Sequence, residues 1–129
     1  MIHSAIKERM NREIKEIKKI YQATVDGGDS DIFHKKCDFI PNTLVLYKTK
    51  GNRRFGGFAS QSWNTGFDFL PDKKCFLFSL DKKKIYLPKN DYFKIVLSSF
   101  DGPSFTDKSN IFIIEIDENA LKNKSFLTN

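Results

Sequence analysis

The segment FGGFASQSW, Phe55 to Trp63, predicts the centre of the core. Read as a strand, it carries large rings on both faces, with Gly56, Gly57 and Ala59 between them. Glycine and alanine fill little space, so side chains from a facing layer can enter beside the rings. We therefore expect this segment to lie in the middle of the fold.

A second aromatic segment, FLFSL, predicts the partner strand. Phe76, Phe78 and Leu80 fall on one face of it, while Leu77 lies on the other. This pattern is typical of a strand that is buried on at least one side. We expect the two segments to form the core together.

Other strands follow from β-branched and aromatic runs bounded by turn residues. The run TLVLYKT, Thr43 to Thr49, should form a hairpin with the glycine-containing strand, because Lys50 to Arg53 reads as a turn. The residues 64–72 read as a loop in which Phe67, Phe69 and Leu70 fold back onto the core. The remaining predicted strands are Ile85 to Leu87, in a hairpin with FLFSL, then Ile95 to Leu97 and Ile111 to Ile116.

Two helices are expected in the first third of the chain. Apolar residues at spacings of three and four predict an amphipathic helix from Ser4 to about Thr24, laid over the sheet with a solvated outer face. A short coiled-coil or partner helix is the alternative for this stretch. A second, short helix is predicted from Asp31 to Cys37, with Phe33 and Cys37 on one face.

The chain of 129 residues is expected to be one domain, residues 1–129, of the α+β class and mainly β. No segment reads as a linker or a repeat. The sequence also lacks an apolar run long enough to span a bilayer and an N-terminal secretory signal. We therefore predict a cytoplasmic protein without membrane insertion.

The two cysteines, Cys37 and Cys75, are predicted to be buried thiols in a reducing compartment. The alternative is that Lys35 and Lys36 lower the pKa of Cys37 and make it redox-active. His34 and Cys37 could form half of a zinc site, but no second pair stands at metal spacing. We expect neither a metal nor another cofactor.

The net charge of +6 raises the hypothesis of a nucleic-acid-binding domain. Such a domain would use Arg53, Arg54 and the lysine-rich first helix. Nearly all of the positive charge is lysine, however, whereas proteins that bind phosphates and base edges favour arginine, whose guanidinium makes bidentate hydrogen bonds. Nucleic acid is therefore the less favoured partner.

Several motifs together resemble the TLDc domain, the domain of the oxidation-resistance proteins. They are FHKKCD from Phe33, TLVLYKT from Thr43, FGGFASQSW from Phe55, FLFSL from Phe76 and FDGPSF from Phe100. The resemblance implies two antiparallel sheets packed as a sandwich with flanking helices. It also implies a role in oxidative-stress resistance and binding to the vacuolar-type proton ATPase, whose assembly and activity family members regulate. The motif residues expected to shape the scaffold are Phe33, Cys37, Gly56, Gly57, Trp63, Phe76, Phe78, Gly102 and Pro103.

The sequence departs from the family pattern in two places. The loop from Thr106 to Asn110 lacks the glycines that the family usually has there. The family pattern also continues past Ser125 to Asn129 into a further strand, so the chain looks truncated at its C-terminus. We therefore predict an exposed sheet edge, open to aggregation or to the docking of another chain, and a domain that is marginally stable or self-associates.

Catalytic motifs are not apparent in the sequence. Gly56 and Gly57 lie within a strand and lack the helix start and lysine of a phosphate-binding loop. Glu115, Asp117 and Glu118 could in principle be paired catalytic carboxylates, but a solvated strand end explains them as well and is the favoured interpretation. We predict a non-enzymatic protein-interaction module. An enzyme of unknown reaction is the alternative, and a pocket that brings His34 against Asp38 or Glu115 with shifted pKa values would favour it.

Overall fold

The computed structural model describes residues 1–66, 68–88, 94–97, 103, 105–106, 114–115 and 127–128. Within these residues it is a mixed α+β structure with antiparallel strand pairing, as the sequence predicts. Its helices are α1 (Ile2–Met10), α2 (Ala23–Asp26) and α3 (Ser30–Cys37). Its strands are β1 (Thr43–Lys48), β2 (Arg54–Ala59), β3 (Asp68–Pro71), β4 (Phe76–Ser79), β5 (Lys84–Tyr86), β6 (Lys94–Leu97), β7 (Phe105–Thr106), β8 (Ile114–Glu115) and β9 (Leu127–Thr128).

A four-stranded sheet in the order β1-β2-β4-β5 is built around the glycine-containing strand. β1 and β2 form the predicted hairpin, in which the Thr49 N–H donates to the Arg53 carbonyl oxygen at 2.9 Å. Asn52 closes the turn with φ 62°, a conformation that asparagine tolerates better than most residues. β2 pairs in turn with β4, placing Gly56 opposite Phe78 and Phe58 opposite Phe76.

The remaining strands pair in the order β3-β6-β7-β8-β9. β3 lies within residues 64–72, so the prediction of a loop there was wrong for its second half. The strand forms because Asp68 to Pro71 pair with Leu97 to Lys94, a partner too distant in the chain to be read locally. Of the strand predicted at Ile111 to Ile116, the described residues Ile114 and Glu115 form β8, and the others lie outside the description.

Each face of the four-stranded sheet packs into its own core cluster. One of them, the phenylalanine cluster, contains Phe58, Phe76 and Phe78, and α1 packs against it through Ile2, Ala5, Ile6 and Met10. The other, the tryptophan cluster, lies on the opposite face of β2. It consists of Phe33, Cys37, Tyr47, Ala59, Trp63, Cys75, Leu77, Ile95 and Phe105.

The expected single helix from Ser4 to Thr24 is wrong. α1 ends at Met10, followed by Asn11 with φ 54°, and residues 12–22 are not helical. The physical reason is that the segment serves both clusters: α1 covers the phenylalanine cluster, whereas Ile20 and Tyr21 pack against the tryptophan cluster. One straight helix presents one stripe and could not reach both faces of a sheet. The short helix α3 is confirmed, with Phe33 and Cys37 both buried.

Candidate interaction surface

The motif residues form a buried frame. Trp63 is fully buried and makes edge-to-face contacts with Phe33, at 5.9 Å between ring centroids, and with Phe105 at 5.6 Å. Its indole N–H donates to the Thr43 hydroxyl at 2.9 Å, which fixes the ring against β1. Such aromatic pairs add about 0.5–1.5 kcal/mol beyond their burial. The frame therefore joins α3, β1 and β7 through one side chain.

The paired glycines leave room for rings, as their spacing predicts. A Cβ on Gly57 would lie 2.7 Å from the Phe105 ring, and a Cβ on Gly56 would lie 2.6 Å from the tip of Phe78. The Gly56 position also touches the backbone of β1, since an added Cβ would overlap the Val45 carbonyl oxygen. Both glycines are thus required by close approach rather than by backbone conformation.

The Gly-Pro motif is described at its proline alone, because Gly102 lies outside the described residues. Pro103 is buried, and its carbonyl oxygen accepts a hydrogen bond from the Tyr47 hydroxyl at 3.0 Å. Complete burial raises the pKa of Tyr47 well above its usual value, so the hydroxyl stays a donor. This bond ties β1 to the segment before β7.

Sequence reasoning missed Asp72, which is fully buried although it lies in a polar stretch. Its carboxylate accepts from the Ser60 N–H at 2.7 Å, the Ser60 hydroxyl at 2.5 Å, and the backbone N–H groups of Gln61 and Lys74 at 3.1 Å each. These bonds end β2 after Ala59 and hold the β3–β4 connection against it. The Leu-Pro-Asp sequence carries no local signal for such a role.

The cysteines are buried thiols, as predicted. Burial, with a smaller contribution from the Asp38 charge, raises the pKa of Cys37 from 9.0 to about 11, and Lys36 opposes this only in part. Burial likewise raises the pKa of Cys75 well above its usual range. The expectation that the neighbouring lysines lower the pKa of Cys37 is therefore wrong, because desolvation outweighs their charge.

The structure brings together one pair that the enzyme alternative requires. His34 is buried at the end of α3, and its Nδ1 lies 2.7 Å from the Asp38 carboxylate, which is itself 9% exposed. The Asp38 N–H also donates to the His34 carbonyl oxygen at 3.0 Å, so the pair closes the helix end. It borders an open depression of about 380 Å³, lined by Asp31, His34, Lys35, Asp38, Phe39 and Thr65. Within the described residues no group of three His, Cys, Asp or Glu side chains could hold a metal ion.

Positive charge is concentrated at one end of the four-stranded sheet. The β1–β2 and β4–β5 turns lie side by side there, because the Leu80 N–H donates to the Arg54 carbonyl oxygen at 3.0 Å. Residues 48–54 and 80–84 contain seven exposed cations and a single carboxylate. We call these cations the basic end: Lys48, Lys50, Arg53, Arg54, Lys82, Lys83 and Lys84.

Asp81 holds the two turns of the basic end together. It accepts from the Arg54 backbone N–H at 2.6 Å and from the Arg54 guanidinium at 3.2 Å. The backbone hydrogen bond, with the guanidinium, keeps the pKa of the Asp81 carboxyl below its usual value. Arg54 is therefore paired with Asp81, and the other six cations face solvent.

Exposed apolar side chains adjoin the basic end. On β1, Leu44 is 38% and Leu46 is 60% exposed, and both share a face with Lys48. A mixed surface of charges with apolar neighbours is the composition that protein interfaces commonly have. Neither the cations on the β4–β5 turn nor these leucines were among the sequence-predicted site residues. Their proximity depends on the pairing of β2 with β4.

None of the helices in the described part of the chain is long and apolar enough to cross a membrane. A search of curated proteins finds no match to this sequence. A family model described as the TLDc domain matches residues 1–128. Because that match covers nearly the whole 129 residues, the chain belongs to the TLDc domain family.

Proposed function

We propose that this chain is a non-enzymatic, cytoplasmic protein-interaction module of the TLDc type. The observation that carries the proposal is the basic end, where six solvent-facing cations and two exposed leucines lie on a hydrogen-bonded sheet. The two turns that carry the cations are already tied together by Arg54 and Asp81, so their backbone has less conformational entropy to lose on docking. The buried motif residues supply the frame, and the contacts come from the exposed residues around it.

The TLDc resemblance supports the vacuolar-type proton ATPase as the partner and oxidative-stress resistance as the cellular role. A positively charged docking surface implies a negatively charged patch on the pump subunit it meets. The charge of the basic end also predicts an association rate that falls with added salt.

We also propose that the two sets of strands pack as a sandwich, as the resemblance implies. Phe105 on β7 supports this arrangement, since its ring contacts Trp63 and occupies the space opposite Gly57 on β2. The hydrogen bond from Tyr47 to Pro103 ties β1 to the segment just before β7. In this arrangement the basic end stays at one open end of the sandwich.

The enzyme alternative has one specific observation in its favour, the buried pair of His34 and Asp38 beside a depression. A hydrolytic or transfer reaction also needs a nucleophile or a substrate held near that pair. Thr65 is the one hydroxyl side chain lining the depression within the described residues. Turnover of an ester or phosphate substrate that disappears in His34→Ala, but not in Lys15→Ala, would favour this second function.

The interaction module is tested by affinity capture of the tagged chain from cytosol at physiological salt, followed by mass spectrometry. Enrichment of peripheral proton-pump subunits by the native chain supports the pump as partner. The charge-reversed variant Lys82→Glu/Lys83→Glu should lose that enrichment, whereas Lys15→Glu/Lys18→Glu, with the same net charge, should keep it. If a folded native chain captures no pump subunit, the proposed partner is wrong.

A further inference from the structure

We infer that the outer edge of β1 binds an extended, acidic segment of a protein partner as an added strand. The inference rests on the proposed interaction function and deepens it, since it specifies the surface and the partner's chemistry. It combines three features of β1 that lie within one strand length. These are its backbone edge, which no described strand pairs with, its exposed leucines and its continuity with the basic end.

The backbone edge follows from the hairpin register. β1 is the first strand of its sheet, and it pairs with β2 alone among the described strands. The bond from Thr49 to Arg53 sets the alternation of the antiparallel ladder, so Tyr47 and Val45 face β2. Leu44, Leu46 and Lys48 therefore direct their N–H and C=O groups outward. An edge of this kind is a template for another strand.

The side chains along this edge favour an occupant with apolar residues at alternate positions. Leu44 and Leu46 lie opposite Phe58 and Gly56 in the β1–β2 register, on the face that α1 covers only in part. Edge strands are commonly protected from pairing by charges or proline, and this one carries Lys48 at one end only. A strand added beside β1 would bring its own alternate side chains against the two leucines and remove them from water.

The charge at the end of β1 selects an acidic partner. Lys48 and Lys50 continue the edge directly into the basic end, where the single carboxylate, Asp81, already bonds to Arg54. A segment that lies along β1 and carries Asp or Glu toward the turn would meet several uncompensated cations. A second copy of this chain is disfavoured as occupant, because each copy carries a net charge of +6.

The test uses a fluorescein-labelled ten-residue peptide, measured by fluorescence anisotropy with the complete chain. The peptide begins with four glutamates, which an antiparallel pairing places at the basic end, and continues with three valine-threonine repeats, whose valines can share a face with the two leucines. One control peptide carries lysine in place of glutamate, and another is the acidic peptide with its three valines N-methylated on the backbone. We expect binding of the acidic peptide that weakens at least tenfold between low and physiological salt. The lysine peptide and the N-methylated peptide should each bind at least tenfold more weakly. Equal binding of the acidic peptide and its N-methylated form would overturn strand addition.

Two variants separate the edge from general charge attraction. Lys48→Glu/Lys50→Glu should weaken binding at least tenfold, while Lys15→Glu/Lys18→Glu should change it less than twofold. Leu46→Pro removes one outward N–H without removing a bond to β2, since proline is tolerated on edge strands. We expect it to abolish peptide binding. An unchanged affinity in Leu46→Pro, or equal losses in the two charge variants, would refute the inference.

A second measurement keeps the inference testable if Leu46→Pro does not fold. Amide exchange of the native chain with saturating peptide should slow at Leu44, Leu46 and Lys48, and unchanged exchange there would contradict strand addition. Tighter binding to a twelve-nucleotide single strand or to phosphatidylserine vesicles would assign the basic end to another partner class. A concentration-dependent dimer joined through β1 would assign the edge to a second copy. Pump capture without peptide binding would refute this inference but leave the proposed function standing.

Discussion

Removing the buried carboxylate of Asp72 should destabilise the domain more than any change at its exposed aspartates. In Asp72→Ala, the Ser60 N–H, the Ser60 hydroxyl and the N–H groups of Gln61 and Lys74 all lose their acceptor. Each lost hydrogen bond to a charged group is worth about 1.5–3 kcal/mol, and the bonds are not additive. Water entering the small cavity will satisfy some of the donors. We therefore expect the free energy of unfolding to fall by about 3–4 kcal/mol.

Such a loss is a large part of the roughly 5–15 kcal/mol by which domains of this kind are stable. The assay is urea unfolding followed by the fluorescence of Trp63, which is the only tryptophan and is fully buried in the native state. Asp72→Asn keeps the shape and one acceptor oxygen but turns an amide NH₂ toward the donors. We expect it to lose about 1–3 kcal/mol, and it provides a measurement if Asp72→Ala does not fold.

Asp81→Ala is the matched control, because Asp81 also accepts from a backbone N–H but is exposed. Solvent screening makes that interaction weaker, so its loss should be clearly smaller than that of Asp72. The reasoning is refuted if Asp72→Ala unfolds within about 1 kcal/mol of the native chain. It is equally refuted if the two alanine variants lose the same stability.

Three further predictions concern the frame and its thiol. Gly56→Ala should lower the free energy of unfolding in urea by more than about 3 kcal/mol, because its Cβ meets the β1 backbone. Gly51→Ala is the control: an added Cβ there has its nearest neighbour at 3.8 Å, so the change should be neutral or slightly stabilising. Equal effects of the two substitutions would contradict the packing argument. Cys37 should react slowly with iodoacetamide in the native state, since a pKa of about 11 leaves about a hundredfold fewer thiolates at neutral pH than its usual 9.0. Rapid stoichiometric labelling would be inconsistent with its burial. The stability that this neutral thiol contributes is complete below pH 9 and should decline as the pH rises through 11. Tyr47→Phe should lower the free energy of unfolding by about 1–2 kcal/mol, because the buried Pro103 carbonyl oxygen loses its donor, and an unchanged stability would show that this bond contributes nothing.

Local patterns in the sequence were sufficient for the hairpins. The turn from Lys50 to Arg53 and the alternation in FLFSL depend on neighbouring residues, and β1, β2, β4 and β5 form within one residue of where these patterns begin. β2 nevertheless ends at Ala59, before Trp63, where the bonds to Asp72 begin. The glycine spacing also predicted the approach of rings, which the positions of Phe105 and Phe78 confirm. The family resemblance rested on the same local motifs, and the match over residues 1–128 confirms it.

Contacts between distant residues decided the rest. The periodicity of the first 24 residues is that of one helix, but packing against two faces of a sheet ends α1 at Met10. β3 exists because β6 pairs with it, and Asp72 is buried because the ends of two strands converge on it.

The basic end, at the candidate site, likewise could not be predicted from local sequence patterns. Its lysines stand some thirty residues apart in the sequence and meet only through the pairing of β2 with β4. The sequence by itself determined the strands of the four-stranded sheet and the aromatic residues that fill the core, because local sterics and side-chain alternation act between neighbours. Only the tertiary structure decided which charges, leucines and buried carboxylates come together, because those positions depend on strand order and register.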